Sequence, residues 1–342
     1  MPSARSRGGL RTALARPALA LLLVAVAGPA PAQERTNRDQ SGYTELHEPG
    51  FPIRSGLTAV PAARAALRDD DLVLGVVIGG EARAYPVNLM WEPQNEALND
   101  TLGGEAIAAT WCPIAHSGVV YDRSLDGRTL ELGAVGLEKG VFILYDRQTG
   151  THWSQVSGRA TRGSREERVL RKRASTVTTW GRWRGLHPAT SVYVDRKLPA
   201  RRRFTEESMA RITQSGGGPV VNEDLVAGIE GRRSPRAYLL RKLAGPRVVN
   251  DELDGEPVVV FLAEDAVTVR ALRRTAAGRT LTFAAAGDSL RDAETGSLWD
   301  PMTGRAVSGP LAGRMLEGLV VTTALWYAWR SQRPETSLWA GP

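Results

Sequence analysis

The sequence predicts a mainly β protein of the α+β kind, built as two tandem copies of an antiparallel β-rich module with a few short helices. Two observations predict it. The chain repeats itself: the Asn99-Asp100 and Gly127-Arg128-Thr129-Leu130 motifs return 151 residues later as Asn250-Asp251 and Gly278-Arg279-Thr280-Leu281. Asp146, Thr149, Gly150 and Trp153 return 146 residues later as Asp292, Thr295, Gly296 and Trp299, and Trp180, Trp183, Pro188 and Ser191 as Trp326, Trp329, Pro334 and Ser337. Within each repeat, short β-branched and alternating runs are separated by Gly and Asp turn signals.

Taken in order, residues 1–32 are expected to be an export signal. Arg5, Arg7, Arg11 and Arg16 precede an apolar run over residues 18–27, and Ala30 and Ala32 supply small residues for cleavage before Gln33. That run is far short of the ~20 residues of a spanning helix, and no second one follows, so no transmembrane segment is expected in the mature chain. Periplasmic or secreted localisation follows. The four arginines leave with the signal, taking 44 basic residues to 40 against 37 acidic ones, a net charge of +3. The basic clusters at residues 168–173 and Arg201, Arg202 and Arg203 lack interleaved aromatics, so they read as solvated surface and no nucleic acid is expected as a partner.

Residues 33–56 form a polar, extended lead-in that contains His47, a solvated histidine. Copy one spans residues 57–198, a basic and Gly-rich linker with one helical turn spans 199–220, and copy two spans 221–342. Residues 71–78 form a strand, Gly79-Gly80 a turn and residues 81–85 the returning strand, a hairpin repeated over 224–238. Further strands are expected at 106–111, 118–121, 129–132 and 141–145, with short helices at 86–91 and 179–186. Trp180 and Trp183, three apart, share a helical face and are core anchors, as is Trp153. Asn99-Asp100 and Asp146, present in both copies, indicate local Asx turn chemistry, and Gly150 is expected to take positive φ.

The copies differ where chemistry is possible. Cys112, the only cysteine, and His116 face Ala263 and Val267; His152 faces Leu298, and His187 faces Arg333. A single cysteine excludes an internal disulfide. Four-residue spacing places Cys112 and His116 on one face of a strand or helix unless Pro113 interrupts it. Thiolate and imidazole select soft metals, so the leading reading is an exported protein that binds a soft metal ion, copper or zinc, or a small ligand, with Cys112, His116 and His152 as ligands and His187 a weaker candidate. The alternatives are a cysteine-dependent enzyme using Cys112 and His116, with Ser117, Glu96 or Asp122 in support, and a non-catalytic structural or partner-binding envelope module in which Cys112 is a buried core thiol. No phosphate loop, dinucleotide fingerprint, Gly-x-Ser-x-Gly elbow or His-Glu-x-x-His motif occurs, which sets aside the common nucleotide and hydrolase classes.

The ordered series Tyr85-Pro86, Glu96, Asn99-Asp100, Gly103-Gly104, Trp111-Cys112-Pro113, Tyr121-Asp122-Arg123, Asp146-Arg147-Gln148-Thr149-Gly150, Trp153-Ser154-Gln155, Trp180, Trp183 and His187-Pro188 resembles the bacterial domain-of-unknown-function family numbered 3179. The resemblance implies an exported or envelope protein without an assigned activity. Family members often carry His-Glu where this chain has Asn95-Glu96, and Cys-Pro-Leu-Cys where it has Cys112-Pro113-Ile114-Ala115. The missing second cysteine tells against a Cys-x-x-Cys dithiol centre, and His116, one position later, stands where a second ligand would be needed.

Overall fold

Strand Leu72–Ile78 turns at Gly79-Gly80 and returns as Glu81–Pro86, and the hairpin is the spine of a five-stranded sheet. Ser175–Thr179 pairs antiparallel on one side of it, and Ser191–Val194 pairs parallel on the other. Further along the chain Leu225–Glu230 and Pro235–Leu239 form a second such hairpin, flanked by antiparallel Val321–Leu325 and parallel Ser337–Trp339. The computed structural model describes residues 37–38, 43–46, 50–195, 204–214 and 219–341. The expected export signal, His47 and the Arg201, Arg202 and Arg203 cluster lie outside them. Among the described residues no helix is long and apolar enough to cross a membrane.

The parallel between the halves extends to side chains. Tyr85 and Arg83 both reach Asp100, and Tyr238 and Arg236 both reach Asp251. Asp146 accepts from Thr149 N–H and from the Trp153 indole, as Asp292 accepts from Thr295 N–H and the Trp299 indole. The Asp146 turn is therefore local Asx chemistry, and Gly150 takes φ +66°.

Asn99 is different. It sits inside strand Ala97–Leu102, not in a turn. Its side-chain amide accepts from Leu132 N–H at 2.8 Å and donates to the Leu132 and Arg54 carbonyls at 2.7 and 3.0 Å. Asn250 clamps Phe283 in the same way. The Asn is structural in both halves, but as a long-range tie between sheets.

Three other expectations are corrected. The strand expected at 129–132 divides into a two-residue pair, Arg128–Thr129, and a longer strand, Leu132–Glu138. The helix expected at 86–91 is a single 3-10 turn, Val87–Leu89. The linker carries more than one turn: helix Glu206–Gln214 spans nine residues. Around Trp180 the helix forms as expected: α1 (Trp180–Leu186) is capped by the Thr179 hydroxyl, and its counterpart in the second half is Trp326–Gln332.

The described residues form one compact unit. Leu72, Leu74 and Tyr85 share an apolar cluster with Leu225, Ala227 and Tyr238, so the halves bury one another's apolar faces. Each also lays its tryptophan helix over a turn of the other. Arg182 of α1 pairs with Asp265 and Asp288, and Leu325 N–H, at the start of the second tryptophan helix, donates to the Ala115 carbonyl at 2.8 Å.

Candidate functional site

The turn over residues 113–116 joins strands Glu105–Cys112 and Ser117–Asp122, and at it lie Cys112 and His116, two of the four groups found in the first half alone. Successive side chains of a strand point to opposite faces. Trp111 accordingly packs with Leu74 and Phe204, while Cys112 packs with Ala97, Ala108, Ala115 and Val119 on the other side. His116 closes the turn with φ +49°, a left-handed conformation uncommon for a side-chain-bearing residue. It places its ring edge-on to Phe204 at 5.1 Å, on the Trp111 side. Cys112 and His116 thus point into different clusters. The strand spacing that would have aligned them ends at Pro113.

Cys112 is 1 % exposed, and its sulfur accepts the Ala115 N–H at 3.3 Å. Burial pushes its thiol up to about 12, with the nearby Glu96 carboxylate adding to the effect. A nucleophilic cysteine needs the opposite. The Ser117 hydroxyl is committed to Gln155, which also donates to Thr110 and to the Ser117 carbonyl in a fully buried network. Asp122 pairs with Arg171. None of these serves as a base for the thiol.

His152 lies on strand His152–Ser154 between Tyr145 and Arg162, and burial lowers its pKa, with Arg162 contributing. His187 ends α1, its ring 4.2 Å from that of Trp183. Among the described residues no three His, Cys, Asp or Glu side chains gather as a metal ion would require. The expected set Cys112, His116 and His152 is not assembled.

What the fold does bring to Cys112 is Glu96. This residue follows the 3-10 turn Pro93–Asn95, and its carbonyl accepts Trp111 N–H at 3.0 Å, which fixes it beside the end of the Cys112 strand. The residue is 9 % exposed, and among the described residues none hydrogen-bonds its carboxyl; burial, with Glu92 as a second cause, raises that carboxyl from 4.5 to about 8. Asn95 is committed elsewhere, accepting from Arg54 and donating to the Leu89 carbonyl. Tyr327 of the second half lies over the turn, donating to the Ile114 and Gly140 carbonyls. Burial lifts its phenol to about 12, and the Cys112 thiolate opposes its ionisation further.

Glu96 and Cys112 face Arg247 and Ala263 in the second half, so the acid–thiol pair belongs to the first half only. The sequence comparison flagged Cys112 and named Glu96 as one of two possible carboxylates. Gln155, which faces Pro301, entered only as part of the Trp153-Ser154-Gln155 motif, with no role assigned; Tyr327, which comes from the other half, was missed, and only its difference from Gly181 signalled it.

Fold and site together define a two-halved β protein with a one-sided acid–thiol pair at a seam. The family profile described as "Protein of unknown function (DUF3179)" matches residues 53–336, and the chain belongs to that family. The match runs through both halves as one stretch. No curated protein and no solved structure matches the chain.

Proposed function

We propose that the protein is an exported binding protein whose site is the Glu96–Cys112 pair, with the second half, a diverged duplicate, as its scaffold and cover. One observation carries this reading: Glu96 is a largely buried carboxyl beside Cys112, raised to about 8, for which the described residues supply no ion pair or hydrogen bond. Such a group costs stability, and strongly raised carboxyl pKa values concentrate at functional sites. A cation would remove that cost by taking the place of the Glu96 proton. Two protein donors fall short of a zinc site. The ligand is therefore a small organic cation such as an ammonium, or a soft ion, copper(I) or zinc, that brings further donors of its own. Export to the periplasm or beyond rests on the arginines and apolar run of residues 1–32 and on cleavage after Ala32.

The test is calorimetric titration of the exported chain with copper(I), zinc and a primary alkylamine, in two buffers of different ionisation enthalpy. Saturable binding that releases about one proton, and is lost in Glu96→Gln and weakened in Cys112→Ala, supports the site. Absence of binding by every probe, or binding unchanged in Glu96→Gln, overturns it. The depth of Cys112 in its apolar cluster favours a purely structural envelope module, and that negative result would select it.

A further inference from the structure

Two cavities open along the seam between the halves, and the strand and helix positions that line them largely correspond. The larger, of about 430 Å³, is lined by Ile229, Glu230 and Thr322 of the second half and by Ser157 and Lys172 of the first. The smaller, of about 300 Å³, is lined by Val76, Val77, Thr176 and His187 of the first half and by Arg270 and Thr303 of the second. The correspondence follows from pairing register. Thr176 lies opposite Gly75 as Thr322 lies opposite Gly228, so Val76 and Val77 occupy the places of Ile229 and Glu230. His187 ends its helix where Arg333 ends the other.

In the larger cavity the protein itself supplies a carboxylate to the cations. Lys172 donates to Glu230 at 2.8 Å and to the Thr322 hydroxyl at 3.1 Å, and Arg333 donates to the same Glu230 oxygen at 2.8 Å. The smaller cavity has the equivalent hydroxyl and a cation supplied from a different strand, without the carboxylate at the Glu230 position. Arg270 donates to the Thr176 hydroxyl at 3.0 Å, as Lys172 does to Thr322. Its Nε is buried without a hydrogen-bond partner among the described residues. The position of Glu230 is taken by Val77, which is 42 % exposed, so the cavity opens to solvent. The carboxylate that acts on both Arg270 and His187 is Asp300, and its oxygens are held by Met302 N–H at 2.9 Å and the Thr303 hydroxyl at 2.7 Å. A guanidinium drawn out of water needs an acceptor, and planar donors suit a carboxylate or phosphate.

We infer that the smaller cavity is a binding site for a small oxyanion, held by Arg270 with His187 and Thr176 at the place where Glu230 stands in its counterpart. The site is independent of Glu96 and Cys112 and takes a ligand of opposite charge.

The experiment titrates the whole exported chain with acetate and, separately, with inorganic phosphate, at constant ionic strength against chloride. Binding is read by calorimetry and by the thermal midpoint. Saturable binding of at least one is expected, and the one bound more tightly assigns the source as carboxylate or phosphate. Arg270→Gln should weaken it at least tenfold. Val77→Glu, at an exposed position, supplies the missing carboxylate internally and should weaken it as much while leaving the fold intact. If Arg270→Gln fails to fold, Val77→Glu decides alone. No saturable binding of either anion, or a Val77→Glu protein that binds as the parent does, overturns the inference.

Discussion

The carboxyl of Glu96 lies near enough to the thiol of Cys112 for its charge to oppose thiolate formation, and none of the described residues hydrogen-bonds that carboxyl. Both groups are therefore protonated at neutral pH. A thiol and an acid held neutral side by side make a poor nucleophile but a receptive place for a cation.

The Glu96 carboxyl makes stability depend on pH with a definite sign. Its folded value of about 8 exceeds the ordinary 4.5, so between those two values the folded protein holds a proton that the unfolded chain gives up. The contribution is fully present below pH 4.5 and is lost as pH rises to 8. At 1.4 kcal/mol per unit the change reaches a few kcal/mol. Urea unfolding of Glu96→Gln should lack this slope, leaving the variant more stable than the parent at pH 8. An equal slope in both proteins would contradict the assignment.

Cys112 should be inert in the folded state. At 1 % exposure and a value near 12, its thiol should react with a disulfide reagent at pH 8 only as fast as the protein opens, and immediately in denaturant. Rapid stoichiometric reaction of native protein would show that the thiol is accessible.

Asn99→Ala removes three side-chain hydrogen bonds and strands the Leu132 N–H and C=O, whereas Asn250→Ala removes two bonds to Phe283. Each should destabilise by about 1–3 kcal/mol, the first more than the second. Chemical denaturation measures both, and a neutral Asn99→Ala would refute the tie between the sheets.

Gly75 and Gly228 lie under the tryptophan rings. A Cβ at Gly75 would come within 2.4 Å of Trp183, and one at Gly228 within 2.3 Å of Trp329. Gly75→Ala and Gly228→Ala should each cost about 1–3 kcal/mol or more by overpacking. Thermal midpoints check this, and unchanged values would mean that the rings are not seated as described.

The features legible in the sequence are those whose causes are local. The Gly79-Gly80 hairpin, the Asp146–Gly150 turn and the Trp180–Trp183 helix face are each written within a few adjacent residues. Strand Leu132–Glu138 escaped because Gly133 and Gly136 dilute its apolar pattern. They are glycine because Tyr145 and the Thr44 carbonyl pack where a Cβ would sit. Asn99 was taken for a turn residue because its partner lies 33 positions away. Spacing aligned Cys112 with His116 only on the premise of a continuous element, and the left-handed backbone at His116 breaks that premise. Arg270 and Tyr327 carry no motif; they matter through contacts between the halves, which only the folded chain displays.

The central claim, a buried acid held neutral beside Cys112, is tested most directly by following the side-chain carboxyl carbon of Glu96 through a pH titration by nuclear magnetic resonance. A midpoint near 8 that disappears in Glu96→Gln is the predicted result; a midpoint near 4.5 would mean a solvated or compensated carboxylate and would remove the basis for a cation site there.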